Sequence, residues 1–166
     1  MSTNQDQQNF NALSAALTGL AQDALAPSVD PIGLPELFFE TAQQALGVAL
    51  FSHLLEQYAT LLAAKNTPEQ IAAAVLGATG SDSNAPAARA IMKLWLLGVW
   101  FPPPLADGSA GPAPHVVSDQ AYKESWAWRI AQAHPMGYSQ FHFGYWASEP
   151  PSLEAFTGVT ASGGQA

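Results

Sequence analysis

Apolar side chains recur along this chain at threes and fours, the spacing that lines one face of an α-helix. Phe10, Leu13, Leu17 and Leu20 define a first amphipathic helix over 9–25, which Pro27 and Asp30-Pro31 then break. Phe38, Leu46, Leu50, Leu54, Tyr58 and Leu61 carry the same period through 34–65, with Gly47 as the weak point where one helix becomes two. Thr67-Pro68-Glu69-Gln70 reads as a helix start: threonine caps, proline suits the first turn, and Gln70 reaches back to complete a capping box. That helix should end between Gly77 and Gly80. A turn over 81–86 offers Ser83 or Asn84 as the next cap, and Ala88, Ile91, Met92, Trp95 and Val99 line the helix beyond it.

Pro102-Pro103-Pro104 stops this helix, because proline cannot donate a backbone hydrogen bond and forces extended geometry. A loop then runs to His115. Ser118 caps a further helix predicted over 119–134, carrying Tyr122, Trp126 and Arg129, and beyond Pro135 the residues up to Trp146 are aromatic and irregular. No stretch alternates as a strand should. The pattern predicts an all-α fold, a single bundle of five or six helices over 9–153 closed by an aromatic C-terminal loop, with disordered ends at 1–8 and 154–166.

Composition sharpens this picture. Apolar residues make up 48% of the 166 and charged ones only 11%, less than half of the roughly 25% usual in soluble domains. A surface so poor in charge suits a chain that is partly covered by another protein. The net charge of −8, with five basic side chains, argues against nucleic acid or anionic lipid as partner, since binding to phosphate rests on lysine and arginine. There is no cysteine, which removes disulfides, thiolate metal sites and covalently attached haem. No apolar run is long enough to span a bilayer, so direct membrane insertion is not expected.

The candidate chemistry is sparse. His53, His115, His134 and His142 lack a second ligand at helical spacing, so no metal site is expected. His53 and Glu56 stand one turn apart and can pair on a helix face. There is no GxSxG elbow, and Gly77-Ala-Thr-Gly80 follows a helix rather than a strand, so neither a hydrolase nor a nucleotide cradle is indicated. The chain should hold no cofactor and no catalytic group of its own. Its salient feature is aromatic density in the C-terminal half. Trp95, Trp100, Trp126, Trp128, Tyr138, Phe141, Phe143, Tyr145 and Trp146 are therefore the expected partner interface, tryptophan and tyrosine being frequent anchors of protein contacts. Trp126 and Trp128 must point to different sides of a helix and cannot both fill one core. The rival expectation is a small helical enzyme or ligand-binding protein with His134, His142 and Tyr138 around an aromatic pocket.

Several segments, in order, carry a resemblance to a known family. Phe10-Asn-Ala-Leu-Ser-Ala-Ala-Leu-Thr-Gly19, Ile91-Met-Lys-Leu-Trp-Leu-Leu-Gly98, Ala121-Tyr122 with Trp126, Ala133-His-Pro-Met-Gly-Tyr138, Phe143-Gly-Tyr-Trp146 and Pro150-Pro151 together resemble the small subunits of membrane-bound FAD-dependent sorbitol, fructose, gluconate and glucose dehydrogenases. The likeness covers about residues 10 to 153. It implies an accessory, chaperone-like subunit, not itself an enzyme, that pairs with a large flavoprotein of the glucose–methanol–choline type. FAD and the sugar site would belong to that partner, with a multihaem cytochrome c subunit taking the electrons. It implies a bacterial periplasmic complex at the inner membrane, although no twin-arginine leader is present in this sequence, which leaves the cytoplasm as the alternative. Some relatives carry a cysteine in the C-terminal aromatic region where this chain has Ser139, so no role of that cysteine transfers.

Overall fold

The computed structural model describes residues 4–80, 83–104, 109, 111–136, 152, 154 and 157–158. Over these the chain forms α1 (Asn4–Thr18), α2 (Gln22–Leu25), α3 (Leu34–Leu46), α4 (Val48–Ala63), α5 (Pro68–Gly77), α6 (Ala85–Leu97), β1 (Val99–Trp100), β2 (His115–Val116), α7 (Asp119–Lys123) and α8 (Trp126–Ile130). The fold is all-α. Helices α1, α3, α4, α5 and α6 build the bundle, and the remaining helices are single turns of four or five residues.

Helix α1 starts before its apolar period does. The polar residues preceding Asn9, read from sequence as disordered, are helical from Asn4 onward, because amide side chains brace them. Gln5 Nε2 donates to Asn9 Oδ1 at 2.9 Å, and Gln7 Nε2 donates to Asn11 Oδ1 at 3.2 Å and to the Pro35 carbonyl at 3.1 Å. At its other end Thr18 Oγ1 accepts from Leu20 N, turning the chain, so that 9–25 is two helices rather than one. A C-terminal piece reaches this turn: Ala21 N donates to the Thr157 carbonyl at 3.1 Å. The tail expected to be disordered thus contributes ordered contacts at Glu154, Thr157 and Gly158, while 155, 156 and 159–166 lie outside the described residues.

Gly47 breaks the long apolar stretch as anticipated. Its φ of 78° and ψ of 151° form a combination essentially reserved for glycine, and the axes of α3 and α4 meet there at a bend of 119°. Helix α5 carries the full capping box, with Gln70 N donating to Thr67 Oγ1 and Thr67 N donating to Gln70 Oε1. At the start of α6 Asn84 occupies the cap position without a side-chain cap bond, and Ser83 before it supplies the hydroxyl: its Oγ accepts from Ala85 N at 3.1 Å and donates to the Ala78 carbonyl at 2.8 Å.

Helix α6 is the axis of the molecule. It packs against α1, α3, α5, α8 and β1, and its buried residues include Ala85, Ala87, Ala88, Ala90, Ile91, Leu94 and Trp95. Four alanines let neighbouring helices approach closely, while Trp95 meets Phe38 edge to face at 4.7 Å. Beneath it Phe10, Phe39 and Phe51 form a cluster with centroids 5.0–5.8 Å apart. Each such ring, buried, contributes roughly 1.5–3 kcal/mol.

Two sequence expectations fail after α6. A strand pair is present: β1 and β2 run antiparallel, Val99 opposite Val116 and Trp100 opposite His115. Gly98, not the prolines, ends α6, and the prolines follow β1, where the two arms of the proline-rich loop close on each other with this short ladder as their base. The helix predicted over 119–134 is instead α7 and α8, broken at Glu124 and Ser125. Ala121 and Trp126 are both buried. In a continuous helix five residues of advance would separate them by about 140° around the axis, so one would face solvent. The break brings both inward.

Candidate partner interface

The tryptophans divide by depth. Trp95, Trp100 and Trp126 are 1%, 2% and 5% exposed. They belong to the core, which corrects their assignment to a partner surface: their apolar area is already covered by this chain's own helices. By the same reasoning the face of α6 that carries Ala88, Ile91 and Trp95 is spent on internal packing. Trp128 is half-buried. Its Nε1 donates to the Tyr122 carbonyl at 2.9 Å and its ring meets that of Tyr122 edge to face at 5.4 Å, so it staples α7 to α8 across their break. Arg129 reinforces the same joint through Glu124 Oε2 at 2.6 Å and stacks over the Trp126 ring at 5.0 Å. Tyr138, Phe141, Phe143, Tyr145 and Trp146 lie outside the described residues.

His134 Nδ1 sits 3.2 Å from the Pro135 carbonyl, and its proposed companions His142 and Tyr138 lie outside the described residues. His115 is exposed on β2. His53 Nδ1 lies 3.3 Å from Asn84 Oδ1, while Asn84 Nδ2 donates to Gln57 Oε1 at 2.8 Å. Asn84 is 2% exposed, so this small network satisfies a buried amide and ties α4 to the start of α6. Among the described residues no three His, Asp or Glu side chains assemble as a metal site, and no single helix is long and apolar enough to cross a membrane.

What the surface offers near α8 is aliphatic. Leu97 at the end of α6, Val116 on β2, Ile130 on α8 and Met136 beyond it are 37%, 50%, 40% and 79% exposed. They sit on adjoining elements, since α6 packs against both α8 and β1, and β1 pairs with β2. Sequence reasoning missed these residues because it weighed aromatic rings, whereas aliphatic side chains become conspicuous only once a neighbour fails to cover them. A second feature is a cleft of about 680 Å³ between α6 and the proline-rich arms, with Arg89, Lys93 and Phe101 at its edge. A third, of about 350 Å³, lies where Ala15, Ala16 and Gly19 face Tyr58, Leu62 and Ile71.

Among the described residues, burial displaces the pKa of one titratable side chain. Tyr58, 5% exposed, is held above the usual tyrosine value of 10.0 because the phenolate would lose its hydration. Glu69, in the first turn of α5, is held below its ordinary value by its own backbone N–H and by Thr67.

Compared with known protein families, with curated proteins and with solved structures, the chain matches none.

Proposed function

We propose that this chain is the non-catalytic small subunit of a bacterial FAD-dependent sugar or polyol dehydrogenase, binding and stabilising a large flavoprotein of the glucose–methanol–choline type. The observation that carries the reading is the ordered series of segments from Phe10 to Pro151 that resembles such small subunits. The surface adds support of a different kind. Leu97, Val116, Ile130 and Met136 leave apolar area open on adjoining elements of a chain whose charged fraction is low. In this reading they, with the rim of Trp128, take the role first given to the tryptophans that prove to be core.

The mechanism is linkage. A partner that binds only the folded flavoprotein stabilises it by RT ln(1 + [L]/Kd), about 2.7 kcal/mol at a concentration one hundred times Kd. FAD and the substrate belong to the partner in this scheme, and export would take both chains to the periplasm together, where a multihaem cytochrome c subunit would accept the electrons.

The test is purification of the tagged chain from its native host under gentle conditions. A larger chain arriving with a flavin absorbance band and sugar-dependent dye reduction is the expected result. A colourless chain that elutes alone, and that fails to raise the yield of any coexpressed flavoprotein, refutes the reading.

A further inference from the structure

Thirteen acidic side chains face five basic ones in this sequence. Two of those five, Arg89 and Lys93, stand one turn apart on α6 at the edge of a single cleft. Arg89 Nη2 donates to the Leu76 carbonyl at 2.7 Å, which holds the guanidinium in place and leaves its other N–H groups for a ligand. Lys93 Nζ lies 5.1 Å from the centre of the Phe101 ring. The ion pairs among the described residues join Lys123 to Asp119 and Arg129 to Glu124, so no carboxylate of a described residue neutralises either cation of the cleft.

The facing wall is rigid. Pro102, Pro103 and Pro104 form one arm, and Pro112 and Pro114 the other, both anchored by the β1–β2 ladder. The arms touch at Gly111, where a Cβ would come within 2.9 Å of the Pro103 carbonyl and 3.2 Å of Pro102 Cβ. Prolines have no N–H, so the five of this wall present ring faces and carbonyl acceptors, and Gly111 and Ala113 between them are the lining residues of the second arm that keep a backbone donor. A ligand fitting the cleft carries negative charge for Arg89 and Lys93, N–H donors for the carbonyls and an apolar group for Phe101.

We propose that this cleft docks an extended, acidic segment of a partner protein, independently of whether that partner is a flavoprotein. A peptide backbone supplies the donors, glutamate or aspartate supplies the charge, and an extended chain follows the length of the wall. Charge complementarity favours such a segment doubly, since the −8 molecule attracts it at this cleft and repels it elsewhere. Polyphosphate chains are disfavoured, because two cations cannot neutralise them against that net charge.

The experiment measures fluorescence anisotropy of a labelled peptide of alternating glutamate and proline, titrated with the full chain at low salt. It should bind, weaken as salt rises, and exceed the matching glutamine–proline peptide by about tenfold. R89Q/K93Q, both positions exposed, should lose about the same factor with an unchanged circular dichroism spectrum, whereas K65Q at the α4–α5 junction should not. Equal binding of the glutamine peptide, equal loss in K65Q, or displacement by free citrate as readily as by unlabelled peptide overturns the proposal. So does self-association of the chain, seen by sedimentation, that R89Q/K93Q abolishes, because the occupant would then be a second copy.

Discussion

A methyl group at position 98 would overlap the carbonyl of Ala121, and the backbone there has a φ of 65° that side chains rarely adopt. Gly98 therefore serves two purposes at once. It closes α6 in the left-handed region, with its N–H donating to Leu94, and it lets α7 pass against it. Gly98→Ala should cost about 2–4 kcal/mol in urea unfolding, from the strain and the overlap together; a loss within ~0.5 kcal/mol would mean that α7 is free to move away. Tyr58 provides a second test. Its pKa is raised in the folded state, so the stabilisation tied to the neutral phenol is complete below the unfolded value near 10 and is lost as pH rises through the folded one. Urea midpoints should fall more steeply above that pH for the native chain than for Tyr58→Phe, and parallel curves would place the cause elsewhere. The same scale shows where sequence reasoning misled. Trp95 falls on the helical face of Ala88 and Ile91, and that periodicity already marked it as core; treating it as an interface anchor gave ring type precedence over position. Trp126 and Trp128 were legible as facing different ways, and one is indeed buried while the other is half-buried.

At the scale of elements, local chemistry was the readable part. The capping box at Thr67 and Gln70 depends on four consecutive residues, and Gly47 depends on one, so both could be read without knowing the fold. Thr67→Ala should destabilise by about 1 kcal/mol and fray α5 first, seen as faster hydrogen exchange at residues 69–71; uniform exchange across the bundle would contradict that. The break between α7 and α8 and the β1–β2 ladder were not legible, because both answer to a neighbour. The break exists so that Ala121 and Trp126 both reach α6, and the ladder exists because proline arms fold back upon each other. Neither demand is written within the segment that obeys it. The candidate interface suffered likewise: exposure of Leu97 or Ile130 is a property of what the rest of the chain leaves uncovered.

For the molecule as a whole, an acidic, charge-poor surface combined with open aliphatic side chains invites association. L97E/I130E should leave the helical signal unchanged and the unfolding free energy in urea within ~0.5 kcal/mol of the native chain, since both residues are partly exposed, while abolishing copurification with a flavoprotein. Retained copurification would move the contact away from this end of the bundle. The position of α1 carries a consequence of another kind, in the order of synthesis. Its buried face, Phe10, Leu13 and Leu17, is covered in two stages: α3 and α4 supply Phe39 and Phe51 against Phe10, and α5 and α6, whose residues run from Pro68 to Leu97, close over the helix afterwards. A ribosome adding about 5–20 residues per second leaves that apolar stripe only partly covered for several seconds, longer than a helix takes to form. The nascent chain thus carries a half-covered apolar stripe while its own C-terminal half is still being made, and the bundle closes over its first helix last.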